Sequence, residues 1–256
     1  MEDIDGATLD DVRSFFETFY VPNNAVLTLA GDIDPRRALD AVKRYFGEIE
    51  PGADIPALPG DPDVGARMGT TVRDHVVSDV PLPRVIMAFR VPPFSSDHFA
   101  VARVTGALLG TGRAARFYRR LVRERRIAKS VVTYVYPLLT GQSMMLVWAT
   151  GYPDTAPAAL EAAMSEEIAA LRSAEEREVH RAIALTETDL VRTLERLSER
   201  ADLLSMYDLY FDEPDRLNQE LDRLRAVELD QIREFVEERL GEDNRAVVTY
   251  EPEADR

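Results

Sequence analysis

One short unit occurs twice in this chain of 256 residues, once near the start and once near the end. A shift of 220 positions without gaps aligns Leu9 with Leu229 and Val26 with Ala246. Each copy has the pattern of a capped amphipathic helix, an asparagine-containing turn and a buried strand. The other aligned pairs are Asp10 and Asp230, Val12 and Ile232, Arg13 and Arg233, Phe15 and Phe235, Glu17 and Glu237, Asn24 and Asn244, and Leu27 and Val247.

The two copies have different surroundings in the sequence. The second copy ends a long segment with several predicted strands, whereas no predicted sheet precedes the first copy. A unit of about fifty residues leaves a sheet edge and an apolar face that it cannot bury alone. We therefore predict that residues 1–50 are the C-terminal remnant of a first domain, that the Pro- and Gly-rich stretch 51–69 is a linker, and that residues 70–256 form a complete second domain.

Hydrophobic periodicity and turn residues predict a mixture of strands and helices without strict βαβ alternation. This mixture indicates an α+β fold with a mixed or antiparallel sheet packed against helices, rather than a doubly wound sheet. The predicted strands are 25–30, 70–77, 84–91, 130–138, 142–150 and 246–250. The predicted helices are 8–20, 35–46, 99–109, 114–126, 156–172, 175–210, 214–225 and 229–240.

Composition excludes several classes of site and partner. The chain has no cysteine, so disulfides, Cys-ligated zinc and thiol nucleophiles are excluded. Its net charge of −15 leads us to expect no nucleic-acid partner and no anionic membrane. No apolar run reaches the roughly 18 residues of a membrane span, and the acidic N-terminus does not resemble a secretory signal. The compartment stays open between periplasm and cytoplasm.

Residues 113–129 are strongly basic, with seven arginines, one lysine and a single acid, Glu124. In a helix, Arg116, Arg119, Arg120 and Arg123 would share one face, while Phe117 and Leu121 would face the core. One interpretation is a solvated face paired with acidic helices such as 161–178. Another is a patch that binds peptide carboxylates or an acidic partner surface. An autonomous anion-binding module is a third alternative.

Two motifs suggest chemistry that their context does not support. The stretch Gly110-Thr-Gly-Arg-Ala-Ala115 matches a dinucleotide-binding pattern, but a predicted helix precedes it and no acid follows at the required spacing. The three histidines, His75, His98 and His180, do not occur in a helical zinc-hydrolase motif. Only Glu176 and His180 have a ligand-like spacing, and we expect no metal site in this chain.

Two further segments carry a resemblance to a known family. Phe19-Tyr-Val-Pro-Asn-Asn-Ala-Val-Leu27, followed by Ala30-Gly-Asp-Ile-Asp34, resembles the end of the first domain of insulinase, pitrilysin and mitochondrial-processing-peptidase zinc metallopeptidases. Leu108-Leu-Gly110, Ala114-Ala-Arg-Phe-Tyr-Arg-Arg-Leu121 and Ile127-Ala-Lys-Ser-Val131 resemble consecutive second-domain motifs of the same family. The resemblance covers nearly the whole chain, in the family's order.

The resemblance implies a peptidase whose α+β domains enclose an extended peptide in a chamber. In that family an inverted His-x-x-Glu-His motif and a later Glu hold zinc in the first half of the first domain, which this chain lacks. An Arg and a Tyr seven residues apart help to bind substrate in catalytic members, and those positions fall on Val122 and Lys129. Arg123 could replace the Arg only after a shift of one position.

We therefore expect the non-catalytic C-terminal half of a zinc metallopeptidase, with no cofactor in this chain and zinc in a missing half or a partner. It would bind peptide, form a chamber wall and be inactive alone. The alternative is an inactive structural subunit of a larger complex, and a dimer is also open. The residues expected to bind substrate or partner are Arg113, Arg116, Tyr118, Arg119, Arg120, Arg123 and Lys129.

Overall fold

The computed structural model describes residues 6–57 and 64–253 and comprises two compact units. Unit 1 combines Met1–Gly60 with Val191–Gln219, and unit 2 combines Asp61–Leu190 with Glu220–Arg256. Unit 1 thus contains a helical stretch that the sequence assigned to the second domain. The division at residues 50 and 70 stays a prediction.

Most elements lie within a few residues of their predicted bounds. The strands are β1 (Thr70–Ser78), β2 (Arg84–Val91), β3 (Ala128–Tyr136), β4 (Ser143–Gly151) and β5 (Asn244–Pro252). The α-helices are α1 (Leu9–Phe19), α2 (Pro35–Phe46), α3 (Phe99–Gly110), α4 (Pro157–Ala169), α5 (Glu176–Glu195), α6 (Leu197–Phe211), α7 (Arg216–Arg225) and α8 (Leu229–Arg239). Short 3₁₀ turns occupy Pro22–Asn24 and Ala170–Ser173, and Tyr118–Glu124 is π-helical. None of these described helices is both long and apolar enough to cross a bilayer.

The two copies of the repeated unit have the same local structure. Helices α1 and α8 are each 11 residues long and begin 220 positions apart. At the first N-terminus the backbone amide of Thr8 donates to the Asp11 carboxylate at 2.8 Å, and at the second the amide of Glu228 donates to the Gln231 side chain at 2.9 Å. Each bond satisfies an amide that the helix leaves free, so both starts are capped in the same way.

The asparagine after each helix also has the same role. The side-chain amide of Asn24 donates to the carbonyl of Phe19 at 2.8 Å, and that of Asn244 donates to the carbonyl of Arg239 at 2.6 Å. Both bonds reach back to the last helical residue and close an otherwise unpaired carbonyl. The repeat predicted from the sequence is therefore present in the structure as far as this turn.

Beyond the turn the two copies differ. In the second copy β5 is hydrogen-bonded on both sides, to β1 and to β2. In the first copy residues 25–30 form no strand, and no described strand pairs with their backbone, although the Ser205 hydroxyl donates to the Thr28 hydroxyl at 2.7 Å. The prediction of a strand there is wrong for the described chain, because an extended segment becomes a strand only when a neighbour satisfies its backbone groups.

One predicted helix, 175–210, is instead two helices. The break falls at Arg196, whose ψ of 119° is extended rather than helical. Hydrophobic periodicity continues through this position, so the sequence pattern does not show the change in backbone direction.

Unit 2 contains a mixed five-stranded sheet with the order β1-β5-β2-β4-β3. Only β1 and β5 run parallel, and the other neighbouring pairs are antiparallel. Helices α3, α4 and α8 contact the sheet. The predicted α+β fold, with a mixed sheet packed against helices, is confirmed.

The two faces of this sheet differ in burial. In β2, Val85, Met87 and Phe89 are at most 1% exposed, and they alternate with half-buried residues such as Ile86 and Ala88. Because successive strand residues point to opposite faces, the first set belongs to the core under the helices. The second set defines what we call the open face of the sheet.

Gly110 marks a close approach between α3 and β3. A methyl group built at Gly110 would meet the Thr133 hydroxyl, and it would lie 2.6 Å from the Cβ and 2.9 Å from the backbone nitrogen of Thr133. A rotation of the Thr133 side chain moves the hydroxyl but neither the Cβ nor the nitrogen, so it cannot make room. The glycine of the apparent dinucleotide motif therefore serves helix packing. The predicted helix does precede the motif, where a dinucleotide-binding loop would follow a strand.

We expect Gly110→Ala to lower the free energy of unfolding by about 1–3 kcal/mol, because the added methyl group overpacks this contact. Urea denaturation followed by circular dichroism measures the change. Gly241→Ala is the matched control, since its methyl group would meet the movable side-chain ends of Asp243 and Arg67. Equal losses of stability in the two variants would contradict the role assigned to Gly110.

Candidate functional site

The basic segment 113–129 connects α3 to β3, and much of it is π-helical. The amide of Arg125 donates to the carbonyl of Arg120 at 2.8 Å, five residues back, which is the spacing of a π-helix. Phe117 and Leu121 are fully buried, as predicted. The wider turn changes the angular spacing on which the prediction of a single arginine face depended.

Arg116 does not share the exposed face expected for the four arginines. It is only 6% exposed, and its guanidinium binds both carboxylate oxygens of Glu178, with N–O distances of 2.7 and 3.2 Å. Its third nitrogen donates to the carbonyl of Ala170 at 2.8 Å. A two-pronged pair of this kind satisfies both buried charges, so Arg116 holds α5 to the neighbouring backbone.

Arg119 and Arg120 are exposed but paired. Arg120 Nη1 lies 2.6 Å from Glu124, and its Nε lies 3.4 Å from Glu167 on α4. Arg119 Nε lies 3.8 Å from Glu124. The interpretation of this segment as basic residues paired with acidic helices therefore holds for Arg116 and Arg120.

The two buried acids beside these arginines have opposite pKa shifts. Burial raises the pKa of Glu178, but hydrogen bonds from Arg116 and the Glu175 amide, with the nearby positive charges, outweigh it and hold that pKa below its ordinary value. Burial dominates at Glu167 and raises its pKa, although Arg120 and three other arginines oppose the shift. Glu178 therefore favours its charged form, and Glu167 resists ionisation.

Four of the seven expected site residues are not used in these pairs. Arg113, Arg123 and Lys129 are exposed and form no ion pair with any carboxylate in the described part of the chain. Tyr118 is half-buried at the start of the π-helical segment. The assignment of all seven residues to substrate or partner binding stays a prediction.

Lys129 borders a cavity of about 390 Å³ at one end of the open face. Its lining includes three hydroxyl-bearing residues, Ser130, Thr150 and Tyr250, and the apolar residue Ile86. Val80, Pro81 and Leu82, from the loop between β1 and β2, complete the apolar part of the wall.

Arg84 is a second cation in this cavity, and no pattern in the sequence selected it. It begins β2 opposite Thr150 of β4 and Tyr250 of β5. Its Nε donates to the Thr150 hydroxyl at 3.2 Å. Only the strand order brings Arg84 near Lys129, because 45 positions of sequence separate them.

A second candidate surface is the apolar face of the first repeated unit. Leu9, Val12, Phe15 and Phe16 are 75%, 48%, 52% and 49% exposed. Their counterparts in α8 are at most 8% exposed. The helix of the repeated unit therefore has a buried apolar face in the second copy, α8, and an exposed one in the first copy, α1. The counterparts are Leu229, Ile232, Phe235 and Val236.

A family model described as the peptidase M16 inactive domain matches residues 6–186. This range includes the first repeated unit, the basic segment and strands β1–β4. The chain belongs to this family. The resemblance to zinc metallopeptidases that the sequence motifs indicated is thereby confirmed.

The relatives of this inactive domain include a curated protein, the zinc protease PqqE of Helicobacter pylori. It is 25% identical over 213 residues, which are 81% of this chain and 47% of that protein. Among solved structures, a protease from Helicobacter pylori has a TM-score of 0.85 at 23% identity, covering 98% of this chain and 61% of its own. The peptidase M16 inactive domain from Pseudomonas fluorescens has a TM-score of 0.82 at 15% identity, covering 100% and 60%. Both share the fold, and this chain spans about half the length of its curated relative.

The described residues of this inactive domain do not fit a zinc site. Catalytic zinc in hydrolases is bound by three protein ligands, and residues 6–57 and 64–253 contain no group of three or more His, Cys, Asp or Glu side chains placed to hold a metal. His75 lies 3.3 Å from Glu251, and His180 lies 3.9 Å from Glu176, both as exposed pairs. The placement of zinc in another half stays a prediction.

We expect Glu178→Gln to lower the free energy of unfolding by about 3 kcal/mol at pH 7, because Arg116 loses its buried counter-charge. The folded-state pKa of Glu178 lies below its ordinary value of 4.5, so its stabilisation is complete at neutral pH and is lost as the pH falls through the folded-state pKa. The difference between wild type and variant should therefore shrink in acid. Denaturation series from pH 7 to pH 3 measure it.

Glu167→Gln is the matched control for this experiment. Because burial raises the pKa of Glu167, its ionised form costs free energy in the folded state at pH 7. Removing that charge should leave stability unchanged or raise it. A Glu167→Gln loss as large as that of Glu178→Gln would contradict the opposite pKa shifts.

Proposed function

We propose that this chain is the non-catalytic half of a zinc metallopeptidase, which pairs with a zinc-bearing half and forms one wall of the substrate chamber. The observation that carries the proposal is the difference in burial between the two copies of the repeated unit. Membership of the inactive-domain family and a curated relative that is a zinc protease support it.

The difference in burial indicates what the partner must provide. In unit 2, Ile232 of α8 is fully buried and packs within the same unit as the sheet. Its counterpart Val12 is 48% exposed, although its helix has the same length and the same capping. Covering the first copy as the second is covered requires polypeptide with a comparable sheet, as in another domain of this fold.

Residues 25–30 add a backbone requirement to this apolar one. They come after the first copy of the turn as β5 comes after the second, yet they have no strand neighbour among the described residues. Unpaired extended backbone is a template for pairing with another chain. The proposed partner would add the strand that these residues lack.

The open face of the sheet in unit 2 suits a chamber wall. Trp148 and Leu146 of β4 lie beside Ile86 and Ala88 of β2, and all four side chains are half-buried. An apolar sheet face can hold an extended peptide by side-chain contact, and the backbone of an edge strand can add main-chain hydrogen bonds to it. In this proposal the chain contributes binding, and the zinc-bearing half supplies a metal-activated water.

We expect the isolated chain to hydrolyse no peptide in a chelator-sensitive way, with or without added zinc. The reason is that its described residues contain no zinc site. A fluorogenic-peptide assay with and without 1,10-phenanthroline measures this. Chelator-sensitive turnover by the isolated chain would contradict the proposal that it is a non-catalytic half.

The complementary measurement is purification of the tagged chain from its source cells. We expect it to retain a polypeptide that carries His-x-x-Glu-His, and the complex to hydrolyse peptides until chelator is added. Retention in a large assembly without that motif and without turnover would favour the structural-subunit alternative instead.

We expect Val12→Asp to weaken binding of the zinc-bearing half at least tenfold, because a charge replaces an apolar group that the partner would bury. The melting temperature of the isolated chain should stay nearly unchanged, since Val12 is already exposed. Titration of the co-purified partner by biolayer interferometry measures the affinity. The control is Val77→Asp, a substitution of the same kind at a 55% exposed position of β1. An equal loss of affinity in the two variants would contradict the assignment of the first repeated unit as the partner-binding surface.

A further inference from the structure

We propose that the cavity between Arg84 and Lys129 binds a carboxylate group of a peptide, with an adjoining apolar group against Ile86. The proposal relies on the proposed function only for the choice of a peptide as ligand.

A β-bulge directs Lys129 towards this cavity. Ala128 pairs with Gly151 and Ser130 pairs with Thr150, so Lys129 is an extra residue between them. Ala128 is buried, whereas Lys129 and Ser130 are both exposed. Without the bulge consecutive residues would alternate between faces, but here two neighbours line the same cavity.

The two cations of the cavity have no ion-pair partner among the described residues. Neither Arg84 nor Lys129 forms an ion pair with a carboxylate in the described ranges, whereas other exposed arginines such as Arg73 and Arg125 do. The Nε of Arg84 donates to Thr150, which fixes the guanidinium at the cavity wall. Its remaining nitrogens and the Lys129 ammonium can then donate charge-assisted hydrogen bonds to a ligand.

The rest of the lining determines what can accompany the carboxylate. The cavity volume of about 390 Å³ lies within the range of small-ligand sites. Val80, Pro81 and Leu82 are apolar residues of the same lining. A carboxylate on a short hydrocarbon stem therefore fits better than a phosphate or a fully polar ligand, because it satisfies both kinds of wall.

Trp148 provides a signal for binding. It is the single tryptophan of the chain, and it lies opposite Ile86 on the open face of the sheet. A ligand that enters the cavity changes the surroundings of Ile86 and should change the emission of Trp148. Binding can thus be measured on the isolated chain of 256 residues without zinc or partner.

The experiment compares three N-acetylated peptides of the same length. The first contains glutamate between two leucines and ends in an amide, the second replaces the glutamate with glutamine, and the third is the glutamine peptide with a free C-terminal carboxylate. We expect the first or the third to bind at least tenfold more tightly than the second, by Trp148 fluorescence titration. The tighter of the two identifies a side-chain or a terminal carboxylate as the natural group.

Variants test the residues. Lys129→Gln should reduce the preference for the carboxylate at least fivefold, while Lys129→Arg should retain it. Arg172→Gln is the matched control, because it removes one exposed positive charge that forms no ion pair in the described chain and is not part of the cavity lining. Its preference should equal that of the wild type.

Equal affinities for the three peptides, no binding of any of them, or an equal loss in Lys129→Gln and Arg172→Gln would each overturn the proposal. These results would not bear on pairing with a zinc-bearing half, which the Val12→Asp measurement tests separately.

Discussion

The hydrogen bonds that hold β5 between β1 and β2 are the interaction on which unit 2 depends. Thr70 pairs with Asn244, and Arg84 pairs with Tyr250, so the last strand of the chain joins the first two. Because β5 is the one neighbour of β1 among the described strands, the C-terminal copy of the repeated unit completes the sheet. That placement also allows α8 to bury its apolar residues, and it brings both sides of the Arg84 cavity together.

The same consideration explains why the first copy is a candidate interface. Its helix is capped like α8 and its asparagine closes the turn in the same way, so its local interactions are complete. What it lacks among the described residues is a neighbouring strand and cover for Val12 and Phe16. Local structure thus forms without the sheet, whereas burial requires one.

The basic segment has two parts with different physical roles. Arg116 is buried against Glu178 and neutralised, and Arg120 is drawn towards Glu167. Lys129, at the end of the segment, lies beyond these acids and faces the cavity with Arg84. The basic segment therefore combines arginines in structural ion pairs with a lysine that forms no ion pair in the described chain and can bind a ligand.

The sequence by itself determined the bounds of nearly every helix and strand, the α+β class, the repeat and the family, because these depend on local periodicity, capping residues and motif spacing. The tertiary structure alone decided that 25–30 is not a strand in the described chain, that Arg116 is buried, and that Arg84 and Lys129 line the same cavity. Each of these depends on partners that are distant in sequence. Strand pairing, the π-helical turn and the β-bulge have no period in the sequence, since they arise where separate elements compete for the same backbone hydrogen bonds and the same buried space.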